Sequence, residues 1–284
     1  VNGSTGGAGS RDTGGPGSRD TGGPGSRDTG GPGSRDTGGA GEAGTRSLDP
    51  MPQDWRRGLA VVAHPDDMEY GASGAVARWT DEGRTVSYLL ASRGEAGIDG
   101  MSPEEAGPLR EREQIAGAAA VGVDRVEFLD HPDGVIEYGL PLRRDLAAGI
   151  RRNRPDLVVL INHRDSWSGG GLNMADHRHV GLAALDAVRD AGNRWVFQDL
   201  LAQGLEPWDG VRYIAVAASP HATHAVDIGD TLDRAVASLL EHRAYLEALG
   251  QSEQDVEHFL RTHATRVGRR FNGTPACDFE LITL

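Results

Sequence analysis

The sequence predicts an α/β fold, a largely parallel sheet with helices on both faces. Three observations lead there. From Leu59 onward, short apolar runs alternate with longer amphipathic ones. Several of the short runs are apolar at nearly every position, as strands covered on both faces are. Ionisable residues gather where such runs stop, as in "AVVAHPDDMEYGASG", Ala60 to Gly74. In parallel sheets, functional groups sit on the loops that follow the carboxyl ends of strands.

Taken in order, the strand candidates are Leu59 to Ala63, Thr85 to Ala91, Val126 to Leu129, Leu157 to Ile161 and Tyr213 to Ala217. Between them the spacing predicts helices over Gly74 to Asp81, Leu109 to Val121, Leu140 to Asn153 and Asp176 to Asp190. Leu232 to Leu249 and Glu253 to Thr262 read as closing helices. Two loops then follow strand ends with clustered chemistry: His64 to Glu69, and the long stretch "NHRDSWSGGGLNMADHRHVG", Asn162 to Gly181.

Before the first strand, GSRDTGGP occurs three times from Gly9 to Pro32 and once more as GSRDTGGA to Ala40. A repeat without large apolar side chains buries too little surface to offset backbone entropy, so residues 1–47 are expected to form a disordered tail and 48–284 a single domain. The 284 residues carry a net charge of −13. The first 46 contribute none of it, because Arg11, Arg19, Arg27, Arg35 and Arg46 balance Asp12, Asp20, Asp28, Asp36 and Glu42. An acidic folded part disfavours nucleic acid and anionic membranes as partners. The chain shows neither a membrane-length apolar run nor the hydrophobic core of a secretory signal, and a soluble, cytoplasmic protein is expected. Cys277 is the single cysteine, which excludes internal disulfides and multi-thiolate metal sites. All 29 basic residues are arginine. Schiff-base chemistry, a phosphate-loop lysine and a lysine general base are thereby excluded.

At His64-Pro65-Asp66-Asp67, proline fixes one φ of a turn that can aim the His64 imidazole and Asp67 carboxylate at one point, with Asp66 beside them. Four such residues alone also suit a solvated turn that caps a helix. A hydrolytic zinc site takes three N/O ligands and keeps one position open, so a third ligand must come from elsewhere. His163, His177 and His179 on the second loop are candidates. Two acid-and-histidine clusters at the ends of separate strands favour the metal reading.

"AHPDDMEYG" at 63–71, "SRGEAG" at 92–97, "REREQIAGAAAVGV" at 110–123, "HPDG" at 131–134 and "MADHRHVG" at 174–181 together resemble the PIG-L/LmbE-like zinc-dependent de-N-acetylases over about residues 58–250. The resemblance implies a Rossmann-like sandwich and removal of acetyl groups from N-acetylglucosamine-type sugars or glycoconjugates. It implies one Zn2+ per chain held by His64, Asp67 and His177, with Asp66 as general base. Family members commonly carry HPDH where this chain reads Met174 to His177, and a thioether can do none of the missing histidine's chemistry. His224, in "HATHAVDI", resembles a family element that reaches the active site and is the first replacement; His163 is the second.

Zinc lowers the pKa of bound water toward about 7, and a base such as Asp66 then takes the proton that frees the nucleophile. Glu69 and Asp176 are expected to orient histidine ligands. Arg93 and Glu95, with His163, are substrate-binding candidates, although an Arg–Glu pair on a loop is also a common structural contact. Arg110 and Glu113, three apart on a helix, read as an ion pair. Trp167 and Trp208 suit either sugar stacking or packing, His131 suits the mouth, and His242, His258 and His263 read as structural. Two other readings of the chain stay open: a zinc amidase cleaving a larger thiol-sugar conjugate, and a non-catalytic sugar- or nucleotide-binding domain.

Overall fold

A computed structural model describes residues 47–284. The GSRDTGGP repeats, and with them the expected tail, lie outside the described residues. In chain order the elements are β1 (Asp49–Pro50), β2 (Arg57–Val62), α1 (Asp67–Gly71), α2 (Ser73–Asp81), β3 (Thr85–Leu90), α3 (Pro103–Ala120), β4 (Arg125–Phe128), α4 (Leu140–Asn153) and β5 (Leu157–Ile161). They continue with α5 (Ala175–Gly192), α6 (Asp199–Ala202), β6 (Tyr213–Ala217), β7 (His224–Asp227), α7 (Leu232–Leu240), α8 (Arg243–Ala248), α9 (Glu253–Gly268) and β8 (Ala276–Thr283).

Among the described residues eight strands form one sheet in the order β1-β7-β8-β6-β5-β2-β3-β4. β8 runs antiparallel to β6 and β7, and the other pairings are parallel. The two-residue period of a strand divides the core. Ala60, Val62, Val159 and Ile161 face the α2 side with Trp79, Met68 and Phe279. Leu59, Val61, Val158 and Leu160 face the opposite side, where Leu142, Leu146 and Ile150 of α4 meet Val180 and Ala184 of α5. With both faces covered, the central strands are apolar throughout, which is why they were legible as runs.

The expected boundaries hold to within a residue or two for five strands and three helices. α3 starts six residues before its expected Leu109, because Ser102 and Glu105 form a capping box and Pro108 is taken inside the helix. The stretch expected as one helix from Leu232 to Leu249 is two, broken where His242 takes a non-helical backbone and turns its ring into the core. No described helix is long and apolar enough to cross a membrane.

Candidate metal centre and its base

β2 and β5 are neighbours in register, Val61 opposite Leu160, so the loops leaving them emerge side by side at the carboxyl edge of the sheet. Asp67 fixes the first loop. Its Oδ2 accepts the N–H groups of Ala63 at 2.9 Å and His64 at 3.0 Å, tying the strand end to the first residue of α1. Its Oδ1 is left facing the interior, 2.9 Å from His177 Nε2 and 3.9 Å from His64 Nδ1.

His177 comes from the first turn of α5. Its Nδ1 lies 3.0 Å from Asn173 Oδ1, which also accepts the Met174 N–H, while Asn173 Nδ2 donates to the carbonyls of Asn162 at 2.7 Å and Arg164 at 2.9 Å. An amide whose NH2 is committed to two carbonyls presents its oxygen to the ring, so His177 carries a proton on Nδ1 and turns Nε2 toward Asp67. Without a metal, a second proton on the ring pairs with the carboxylate; in the neutral ring, a nitrogen lone pair 2.9 Å from a carboxylate oxygen is an arrangement a cation satisfies. His64, Asp67 and His177 offer ligand atoms within 4.8 Å of one another, all buried, and two imidazoles with one carboxylate match the donor set of a hydrolytic zinc site.

His64 is held from behind. Its Nε2 lies 3.1 Å from both Asp133 Oδ1 and Asp176 Oδ2. Asp176 is itself fixed by the N–H groups of Gly134 at 2.7 Å and Ile136 at 3.1 Å. The carboxylate–histidine contact leaves Nδ1 for the interior. Burial opposes charge on His64, yet the carboxylates of Asp133, Asp176 and Asp67 raise its pKa well above the ordinary value. Burial would likewise raise Asp67, but His177 and His64 hold it well below the usual carboxylate range. Asp176 therefore has the orienting position expected of it. Glu69 points elsewhere, to Gln114 Nε2 at 3.0 Å, and touches neither His64 nor His177.

Asp66 adopts φ +89° and ψ −19°, in the left-handed region that few non-glycine residues occupy. Arg110 spans the turn: Nη2 donates to Pro65 O at 2.7 Å and Asp66 Oδ2 at 3.1 Å, and Nη1 to Gly94 O at 2.9 Å. Tyr245 lies against the guanidinium, 4.0 Å from Arg110 Cζ to its ring centroid. Burial pushes the Asp66 carboxyl upward and Arg110 only partly offsets it, which makes Asp66 a far better proton acceptor than an exposed aspartate. The expected Arg110–Glu113 pair is corrected here. Arg110 serves the Asp66 turn, while Glu113 accepts the Ala244 N–H at 2.6 Å.

The other candidates are distributed as follows. His163 is buried at the same sheet edge, with Nδ1 unpartnered, and is pressed by α5: a Cβ on Gly181 would stand 2.2 Å from His163 Cβ. Burial, then the charge of Arg164, lowers its pKa. Arg93 is spent on Glu111, Asp130 and the Leu129 carbonyl, and Glu95 accepts the N–H groups of Arg93 and Asp133, so both brace the loop that carries Asp133. His224 opens β7, with β8, β6 and β5 between it and β2. At about 4.8 Å per strand its backbone is roughly 19 Å from β2, and its ring bonds Thr223 Oγ1 at 2.8 Å. The hydrogen bonds and ion pairs of the described residues do not join it to the cluster. Trp167 stands edge-on to His177 at 5.7 Å between centroids, whereas Trp208 packs between Arg57 and Arg154 at the far edge of the sheet. His131 lies 3.2 Å from Asp145. Asn173 was the member least visible in the sequence, since an amide in a loop carries no motif of its own, while Asp133 and Arg110 lie in quoted motifs but with contacts to His64 and Asp66 that only the fold shows.

Comparison with known proteins converges on one family. Residues 59–188 match the PIG-L model, described as GlcNAc-PI de-N-acetylase. The diacetylchitobiose deacetylase of Thermococcus kodakarensis is 30% identical over 226 residues, covering 76% of this chain and 79% of its own. The 1D-myo-inositol 2-acetamido-2-deoxy-alpha-D-glucopyranoside deacetylase of Kineococcus radiotolerans is 29% identical, with 75% and 69% covered. Among solved structures, the N,N'-diacetylchitobiose deacetylase of Pyrococcus horikoshii superimposes with a TM-score of 0.72 at 25% identity, over 81% of this chain and 85% of that one.

Proposed function

This chain belongs to the PIG-L de-N-acetylase family, and from that premise we propose that it hydrolyses the N-acetyl group of an N-acetylglucosamine-type sugar or glycoconjugate, releasing acetate. The observation that carries the reading is Asp66, a buried carboxylate with a raised pKa, set beside the His64–Asp67–His177 grouping. We assign those three residues to one Zn2+. When bound, such an ion supplies Lewis acidity and acidifies water at its open position. Asp66, whose carboxylate is held by Arg110, takes the proton of the attacking water. Asn173 and Asp176 keep the two imidazoles in the tautomers that leave His177 Nε2 and His64 Nδ1 free. Water attack on the acetamide carbon forms the new C–O bond, and C–N cleavage requires a proton on the departing amine.

For that second proton and for contact with the carbonyl oxygen, His163 and His224 are the proposed imidazoles. His163 has the position in its favour and His224 the family resemblance. Loss of kcat in His163→Ala with His224→Ala unchanged assigns the role to His163, and the opposite pattern assigns it to His224. We further propose that the enzyme works in the cytoplasm on small, neutral amino-sugar substrates.

Two relatives act on diacetylchitobiose and on a GlcNAc-inositol, so these two compounds lead the assay. The expected outcome is acetate released in step with free amine. A larger acyl product with no acetate from any acetamido sugar would replace this reading with a conjugate amidase. Binding without any hydrolysis would replace it with a sugar-binding domain.

A further inference from the structure

The strained turn at Asp66 is held from two positions on α3, and only one is a charged residue. Gln114 lies one helical turn beyond Arg110 and is 1% exposed. Its Oε1 accepts the Asp66 N–H at 2.9 Å, and its Nε2 donates to Glu69 Oε1 at 3.0 Å. Both ends of the amide are committed, and they cannot be exchanged, because a backbone N–H needs the oxygen end. Glu69, 1% exposed, sits in a closed polar chamber with Ser238 and His242. α3 rides against this chamber at Gly117, where a Cβ would stand 2.9 Å from Ser238 O, 3.2 Å from His242 Nε2 and 3.4 Å from Glu69 Oε1. The helix and its amide therefore have little freedom to shift.

From this geometry we infer that Gln114 is a positioning residue for the proposed base: anchored on Glu69, it holds the Asp66 backbone in its left-handed conformation and so fixes where the Asp66 carboxylate points. The inference rests on the reading of Asp66 given above. Gln114 itself touches no substrate, since its amide is buried and bonded at both ends within the protein. Arg110 grips the carboxylate and the preceding carbonyl, and Gln114 grips the N–H between them. Without the second grip the peptide can rotate out of the left-handed well toward ordinary φ, carrying the carboxylate with it.

The test uses the full chain loaded with zinc, comparing Gln114→Met, which keeps length and removes hydrogen bonding, with Gln114→Glu, which keeps an acceptor. In Gln114→Met, kcat on the most active acetamido sugar should fall about 10- to 100-fold with KM within about threefold, because a displaced reacting group costs turnover more than binding. Metal content should stay at the wild-type level, and amide deuterium exchange at Asp66 should accelerate. Gln114→Glu, which keeps the acceptor for the Asp66 N–H but loses the NH2 that bonds Glu69, should recover part of the turnover and of the exchange protection. Should Gln114→Met not fold, Gln114→Asn, which withdraws the acceptor by one methylene, decides on the same readouts. An Asp66 amide as protected as in wild type overturns the inference. So does a loss of kcat that comes with loss of metal and is not rescued by glutamate. A wild-type protein that releases no acetate defeats the proposed function instead, and the exchange measurement still decides the role of Gln114.

Discussion

At the carboxyl edge of the sheet, His64 is surrounded by Asp67, Asp133 and Asp176; behind α3, His242 faces Glu69 alone at 3.7 Å. The two settings are almost equally dry, His64 being 5% exposed and His242 0%. Their charges nevertheless resolve in opposite directions. The pKa of His64 is driven well up and that of Asp67 well down, so the front group favours ions. Burial, with the charge of Arg110, pushes His242 down to about 3, and burial pushes Glu69 up to about 8, so the rear group is neutral. The difference lies in the number and quality of partners. Three carboxylates within reach offset the desolvation of an imidazolium, and one unaligned carboxylate does not. A chain can therefore place two buried histidine–carboxylate groups within one wall: one whose carboxylates hold positive charge, as a proton on the imidazole or as a metal ion that displaces it, and one that packs neutral.

The largest effect is expected from breaking the front group. His177→Ala and His64→Ala should each strip the metal and abolish turnover, read by elemental analysis of the purified variants; unchanged metal content would reassign the ligands. Next, Asp66→Asn should keep its metal while kcat falls about a hundredfold to ten-thousandfold, the range general-base catalysis supplies. Acetate release near the wild-type rate would move the base elsewhere. Asn173→Ala should then weaken metal binding about 10- to 100-fold, as loss of an orienting contact to a ligand does, measured by competition with a chelator. Equal affinity in this variant would mean that α5 alone orients His177.

The smallest effect sharpens the comparison from the rear. Glu69 has an ordinary value of 4.5 and is raised to about 8 in the fold, so the folded state prefers its neutral form. The sign follows directly. No penalty exists at pH below 4.5, and one grows as pH climbs from there through about 8, because the unfolded chain releases the proton first. Glu69→Gln, which can still accept from Gln114, should gain on wild type in melting temperature between pH 5 and about 8 and level off above. A gap independent of pH would mean that Glu69 is ionised in the fold.

The sheet was legible because its central strands are buried on both faces and read as unbroken apolar runs. β7 and β8 escaped notice for the converse reason: β7 spans only four residues, and β8 alternates with partly exposed positions such as Cys277 and Glu280. His64, Asp66 and Asp67 stand out as ionisable residues gathered at a strand end, whereas the choice of His177 over His163 and His179, and of Asp66 as base, comes from the family resemblance. The residues that aim them do not stand out. Asn173 and Gln114 are uncharged amides whose roles exist only once α5 and α3 are docked, and the i,i+3 spacing of Arg110 and Glu113 suggested a local pair where tertiary contacts won. His242 shows the same limit, since a helical pattern through Leu249 gives no hint that one ring turns inward.

The left-handed backbone of Asp66 has a consequence for how position 66 tolerates change. Asparagine suits φ +89° better than aspartate, relieves the burial of a carboxyl group and still offers Arg110 an acceptor oxygen, whereas glycine would leave that buried guanidinium without its carboxylate. Asparagine cannot accept a proton from water. Robustness and turnover thus pull against each other at a single codon. A mutant library scored only for surviving heat would accumulate Asn at position 66, yielding sturdy proteins that do no chemistry.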